Sequence, residues 1–423
     1  MIVPGSGCMF SALGATGWVT ELGGTADASL LSGCMPQGDN VIAIGHSHYA
    51  DDSTGDVLAL AFKKLDGSIV WQEKVDTVAS QKIRYGGPAI GPAGKIRYPR
   101  WNWVGGSINL EVDSLNSDGT LSGAGRITTT GWRVANTTPG IDASDNLYVP
   151  CGDTSGNMGV YKFDSSDAFV VAKRTDKPGN FSALKCSGNN VIFAQDDLGT
   201  QGQFLMSITN DLATVNWAIR TTVLSGADVP YPYSIDVDGS GNIYFNGGRI
   251  ALTSGGLSEL HKFDPSGSLL WAKKPSGTNN AIGGVVVTPN GVAWAVGDGA
   301  ISGKASCAIV VLDPSGAVIW GMQFGRAGLD IAFTGIQVDA DSLYVTGYAG
   351  ISSNIPFIMK VPFASPIPAG TYGNWTVAAF SGLTNATPTV TGASVTLSAP
   401  TAAGASATPT LTTTSLTPTT TVL

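Results

Sequence analysis

Three stretches of this sequence hold residues whose types and spacing suit chemistry. Asp236-Val237-Asp238-Gly239-Ser240-Gly241-Asn242 begins like an oxygen-ligand loop for Ca²⁺, with Asp236, Asp238 and Asn242 as the ligands. A complete loop needs a distal bidentate Glu, and none follows at that spacing. A structural turn is therefore the favoured reading and calcium the lesser one. His46 and His48 stand two apart beside Asp51 and Asp52, so on a strand both imidazoles would share one face. The third histidine, His261, has no evident reason to join them, and a loop at a sheet rim is the better account. The third stretch is Lys82-Ile83-Arg84-Tyr85, repeated as Lys95-Ile96-Arg97-Tyr98 and continued by Pro99-Arg100-Trp101-Asn102-Trp103. Arg97, Tyr98, Arg100, Trp101 and Trp103 are candidates for a binding surface that stacks on sugar rings or seats an acidic partner. The plainer alternative is a degraded repeat with its aromatics in the core and its charges on the rim.

No catalytic residue, cofactor site or firm metal site emerges beyond these. No P-loop, dinucleotide fingerprint or zinc-protease motif is present, and Ser47 lacks a nucleophile-elbow context. The five cysteines are widely spaced without a CxxC pair, and read as free thiols. A net charge of −8 repels phosphate, so nucleic acid is not an expected partner. No apolar run reaches the length of a membrane span. Residues 1–8 carry no basic segment followed by an apolar one, and so predict no export signal.

The elements that must position any site come from internal repetition. Lys64-Leu65-Asp66-Gly67-Ser68-Ile69-Val70-Trp71 returns as Lys262-Phe263-Asp264-Pro265-Ser266-Gly267-Ser268-Leu269-Leu270-Trp271 and as Val311-Leu312-Asp313-Pro314-Ser315-Gly316-Ala317-Val318-Ile319-Trp320. A further copy runs from Lys162 to Lys173, and weaker ones from Ser207 to Ala218 and around Asp118-Gly119. Each reads as a hairpin: an apolar strand, a turn closed by Asp with Gly at positive φ, and a strand ending in Trp. A second motif precedes it, as in Asn242-Ile243-Tyr244-Phe245-Asn246-Gly247 and Ser342-Leu343-Tyr344-Val345-Thr346-Gly347, with the period-2 alternation of a strand. Another short strand lies upstream. Four antiparallel strands in roughly 45–55 residues is the size of a propeller blade. The expected fold is all-β, a β-propeller of about seven four-stranded blades over residues 1–372, with six and eight as alternatives. Residues 15–24 resemble an orphan last strand and are expected to close the ring by pairing with the blade at 331–372. Asn374-Trp375 competes for that slot.

Residues 373–423 form a separate Thr/Ser/Ala/Pro-rich arm, and none of residues 361–423 is charged. Disordered segments are usually charged. An uncharged, β-prone arm is expected to lie extended against another chain, pairing its backbone and packing small side chains. A flexible low-complexity stalk is the alternative.

Phe324-Gly325-Arg326-Ala327-Gly328-Leu329-Asp330, Gly335-Ile336-Gln337-Val338-Asp339 and Leu343-Tyr344-Val345-Thr346-Gly347-Tyr348 together resemble the SBBP-type β-propeller repeat. The likeness covers most of residues 15–360. Such repeats occur in tailed-bacteriophage virion proteins and in bacterial surface proteins. The resemblance implies the fold, and more loosely a virion structural protein without enzymatic activity. That protein would be made in the host cytoplasm and anchored to other virion proteins by its arm, as a tail fibre or decoration is. It would display the propeller for adhesion, to a host-surface glycan or protein receptor, with self-association also expected. The alternatives are an extracellular or cell-surface glycan-binding propeller and, less favoured, a propeller enzyme.

Overall fold

The computed structural model describes residues 17–23, 30–46, 57–76, 83–104, 107–129, 139–152, 157–179, 182–197, 202–222, 229–250, 257–276, 283–350, 355–363, 366–380, 382–386, 388–398, 403–406, 410–413 and 417–422. Every regular element among them is a strand. Seven antiparallel sheets form a propeller, and chain order within each sheet runs from the central channel outward. Blade 1, for example, is Leu30–Gln37, Asn40–His46, Val57–Lys63 and Ile69–Asp76, paired in that order. Alternation of apolar side chains lets both faces of each sheet pack on its neighbours, giving cores between blades rather than one central core.

Blade 7 takes three strands from residues 331–362. Its fourth is Trp18–Gly23, paired antiparallel with Ile355–Pro362 so that Trp18 faces Lys360 and Glu21 faces Phe357. Trp375 does not occupy this slot. It begins a strand, Trp375–Ala379, that lies outside the last strand of blade 6, opposite Arg326. Glu21 ties the two arrangements together. Its carboxylate accepts from Arg326 Nε at 2.6 Å and from Trp375 Nε1 at 2.8 Å.

The same tryptophan slot recurs around the ring. The Trp at the start of a blade's outer strand donates Nε1–H to a carbonyl in the next blade. Trp18 reaches Lys64 O (3.1 Å), Trp71 reaches Ser117 O (3.0 Å), Trp217 reaches Pro265 O (3.0 Å), Trp271 reaches Pro314 O (3.1 Å) and Trp320 reaches Phe363 O (3.2 Å). In four of these seams a turn glycine lies against the indole. At Gly67 (φ 71°) an added Cβ would stand 2.6 Å from the Trp18 ring, and at Gly267 (φ 86°) 2.9 Å from that of Trp217. Glycine is thus required there for its backbone angle and for its missing side chain.

The arm after blade 7 pairs with the propeller of its own chain. It runs back around the outside of the propeller as a belt and adds a fifth strand to every blade. Trp375–Ala379 pairs with blade 6, Leu383–Asn385 with blade 5, Thr389–Gly392 with blade 4, Leu397–Ser398 with blade 3, Ala403–Ser406 with blade 2, Thr410–Thr413 with blade 1 and Thr417–Val422 with Trp18–Gly23 of blade 7. The expected acceptor was a second molecule; the acceptors here are the open edges of the same one. The physical reason is sheet twist. At roughly 20–25° per strand pair, four steps turn the fifth strand about 90° from the first, tangential to the ring. One chain can therefore pass from blade to blade at about seven residues per blade, or about 23 Å of extended backbone. Its apolar residues enter the seams. Trp375 and Val377 join the core between blades 6 and 7, Phe380 and Leu383 that between blades 5 and 6, and Ala393, Val395 and Leu397 that between blades 3 and 4.

Truncating Trp18, which is 1% exposed, is expected to cost about 3–5 kcal/mol in denaturant unfolding. Gly67→Ala is expected to cost at least about 1–2 kcal/mol from its positive φ alone. In the double variant the two costs should fall short of additivity, because the smaller residue at 18 removes the clash. Simple additivity would show that the two residues do not share a slot.

Candidate functional site

The basic, aromatic stretch folds as Ile96–Val104, the second main strand of blade 2. Its cations face the sheets on either side and not the solvent. Arg97 is fully buried in the seam with blade 3. It pairs with Asp167 (Nε–Oδ1 3.0 Å) and Asp145 (Nη2–Oδ2 3.4 Å), and donates to the carbonyls of Asp145 (2.6 Å) and Ser165 (2.8 Å). Lys95 also bonds Asp167, whose Oδ2 takes a further bond from Ser114 Oγ at 2.8 Å. Arg100, 4% exposed, meets Glu111 and Asp113 within its own sheet, each at 2.6 Å. Tyr98 is fully buried. Arg97, Tyr98 and Arg100 therefore do not form a binding surface; they are interior. Trp101 and Trp103 lie on the same strand, with side chains outside the described residues. For Lys95 and Arg97 the reason is the tryptophan slot. Blade 2 has Gly123 at the register where five of the other blades have Trp, opposite Ser114. The facing turn carries Asp167 (φ 68°) in place of glycine, and its carboxylate fills the gap and draws in the cations.

Asp113 lies beside this cluster. Burial pushes its pKa up, Arg100 pulls it down, and the negative charges of Glu111 and Asp167 add to the rise, leaving it at about 7 against a usual 3.8.

The calcium candidate resolves into two unrelated roles. Asp238 closes a turn. Its carboxylate accepts from Ser240 N, Asn242 N and Asn242 Nδ2, all at 2.9 Å. The same construction recurs at Asp142 with Ser144 and Asn146. Asp236 instead faces the channel, where Oδ1 meets Lys185 Nζ at 2.7 Å and Oδ2 accepts from Val287 N at 2.7 Å. Donors already occupy both carboxylates, and Asn242 spends its amide on Asp238. Among the described residues no group of three His, Cys, Asp or Glu side chains converges to hold a metal. His46 ends the second strand of blade 1, and His48 lies outside the described residues. His261 is buried in blade 5 against Glu259 at 2.9 Å. Cys34, Cys151, Cys186 and Cys307 are free thiols.

The central channel, a cavity of about 180 Å³, is lined by the first strands of all seven blades. Much of its wall is Gly, Ala, Ile and Val, and its polar side chains link one blade to the next. Ser234 Oγ exchanges hydrogen bonds with the backbone of Val285, Thr334 Oγ1 donates to Leu31 O, and Lys185 and Asp236 join blades 4 and 5. Burial lowers the affinity of Lys185 for its proton, but the Asp236 charge and hydrogen bond outweigh that and hold the ammonium above its ordinary pKa. The Lys185–Asp236 pair was missed from sequence, because 51 residues separate two side chains that only ring formation brings together. Asp167 did leave a signal: it stands where four of the other turns have Gly.

No family model matches the sequence, and no curated protein matches it either. Several solved structures are similar over most of this chain. The β-propeller domain of the Trilobed protease from Pyrococcus furiosus is 13% identical, with 83% of this chain and 98% of that one covered and a TM-score of 0.47. The polysaccharide lyase Uly1 is 9% identical, with 80% and 91% covered and a TM-score of 0.47. A neuraminidase-like protein from A/bat/Guatemala/164/2009 is 9% identical, with 84% and 96% covered and a TM-score of 0.42. Some of these similar proteins are enzymes, but at such identities the likeness is one of fold and assigns no activity to this chain.

The buried cluster sets a pH dependence. A carboxyl whose folded pKa exceeds its unfolded value contributes stability that is complete below the unfolded value, near 3.8, and is lost as pH rises through the folded value, about 7. Unfolding free energy should therefore fall between pH 4 and pH 7 through Asp113. Asp113→Asn should flatten that decline and gain on the wild type as pH rises from 5 to 8. An unchanged slope in the variant, measured by urea unfolding at each pH, would refute the assignment. A second, opposite limb lies lower. Hydroxyl and amide hydrogen bonds from Ser68 and Ser266 hold Asp66 and Asp264 below the usual carboxylate value, so their contribution is lost as pH falls through that lower range.

Proposed function

We propose that this protein is a recognition and assembly module, and specifically a virion structural protein of a tailed bacteriophage that displays its propeller for assembly or host-surface binding. The observation that carries the reading is the belt. A protein carried on the outside of a particle meets proteases and shear, where resistance is governed by the rate of opening rather than by equilibrium stability. No blade can open outward until its belt strand has peeled, and the last belt strand also covers the ring-closing strand Trp18–Gly23. The channel supports binding over catalysis, since Lys185, Asp236, Ser234 and Thr334 are engaged in holding blades together. The resemblance to the SBBP repeat supplies the virion context. In this reading, contact with other virion proteins is made along the belt and not by a free arm.

Electron microscopy of native particles, with antibody labelling of this chain, is expected to place it at a fixed, symmetric site. A soluble monomer that labels no particle would remove the virion reading. Binding to a defined glycan in that case would move the protein to the bacterial-surface class.

A further inference from the structure

We propose that the outer rim of the belt is a lateral self-association surface, on which the edge strands of one molecule pair with those of a second copy of this chain. The inference does not depend on the virion reading. In six of the seven sheets a belt strand is the last strand among the described residues, so the backbone on its outer side meets no described partner. Such edges are templates for further strands. Blade 6 demonstrates that this rim accepts one. There Gly370–Tyr372 pairs antiparallel with Trp375–Val377, as a sixth strand outside the belt.

Charge selects the occupant. Exposed edges are commonly guarded by Lys or other charged residues, yet none of residues 361–423 is charged. The net charge of −8 is carried elsewhere. The tight-turn face presents Asp66, Asp118, Asp164, Asp211, Asp264 and Asp313, all held ionised by hydrogen bonds from their own turns. Two copies meeting through those faces would bring like charges together. Side by side, they bring neutral rims together. Two antiparallel edges related by a two-fold axis are also self-complementary, as a closed dimer requires. The belt itself offers a charged partner no side chain with which to pair.

Sedimentation of the full-length protein over a concentration series tests this. The wild type is expected to exceed its 43.3 kDa monomer mass as concentration rises. Thr384→Glu with Thr391→Glu places two charges on exposed rim positions. Each lies opposite a cation of the blade, Lys274 or Arg220, so the belt keeps its seat. This variant should weaken association at least roughly tenfold, which is one unit of log Kd, with an unchanged melting temperature. Ala168→Glu with Ala317→Glu adds the same charge on the turn face and should leave association within about twofold. In the wild type, belt amides should gain protection from hydrogen exchange as concentration rises. A wild type that stays at 43.3 kDa at every concentration overturns the proposal. So does equal weakening by the two charge pairs, or association without belt protection.

Discussion

The seam between blades is where this molecule is held together, and one slot governs it. The residue after the bulge of a blade's outer strand must fit against the residue that closes the next blade's turn. Trp against Gly solves the problem at four seams, adding an indole hydrogen bond to a large buried ring. The other solutions show that the slot, and not the residue pair, is the constraint. Between blades 2 and 3, Gly123 leaves the space empty and Asp167 fills it with a carboxylate bound to Lys95, Arg97 and Ser114. Between blades 3 and 4 the space holds Val171 and a fully buried Leu212 at φ 58°. A non-glycine residue at positive φ costs about 1–2 kcal/mol, and these two sites accept that strain in exchange for a filled seam.

Twist then decides what becomes of the outer edges. A propeller closes its inner strands into a ring but leaves the last strand of every blade open. Because each blade has turned through about a right angle by that point, the open edges line up around the circumference. A single uncharged strand can serve them all in turn. The belt therefore depends on the ring: its seven acceptors stand in line only when the blades are docked and Trp18–Gly23 has completed blade 7. Glu21, held by Arg326 and by Trp375, connects the closing strand to the start of the belt.

The charged residues follow the same logic. Cations that look available in sequence are spent inside seams, where an unpaired charge is costly and a paired one is tolerated. Anions remain on the tight-turn face, where each carboxylate stabilises its own turn and stays ionised in solvent. The outcome is a molecule with an uncharged belt, an acidic face and a channel in which Lys185, Asp236, Ser234 and Thr334 link neighbouring blades. Such a surface is suited to ordered contact with other molecules.

Much of the fold was legible in the sequence, because turn chemistry and strand alternation are set by near neighbours. Asp-Pro-Ser-Gly at 264–267 and 313–316, Trp at 271 and 320, and alternation at 242–247 mark hairpins without reference to anything distant. The weakest repeat, at 83–129, was hard to recognise for the reason that makes it different: Gly123 stands where five other blades carry the tryptophan that announces them. The fate of Arg97 was not legible, since Asp145 and Asp167 come from the next blade and only docking turns that strand inward. Nor was the acceptor of the arm. An uncharged, Thr-rich segment shows that it will pair with an edge. Which edge is open is a property of the closed ring, and seven of them exist only once tertiary structure has formed.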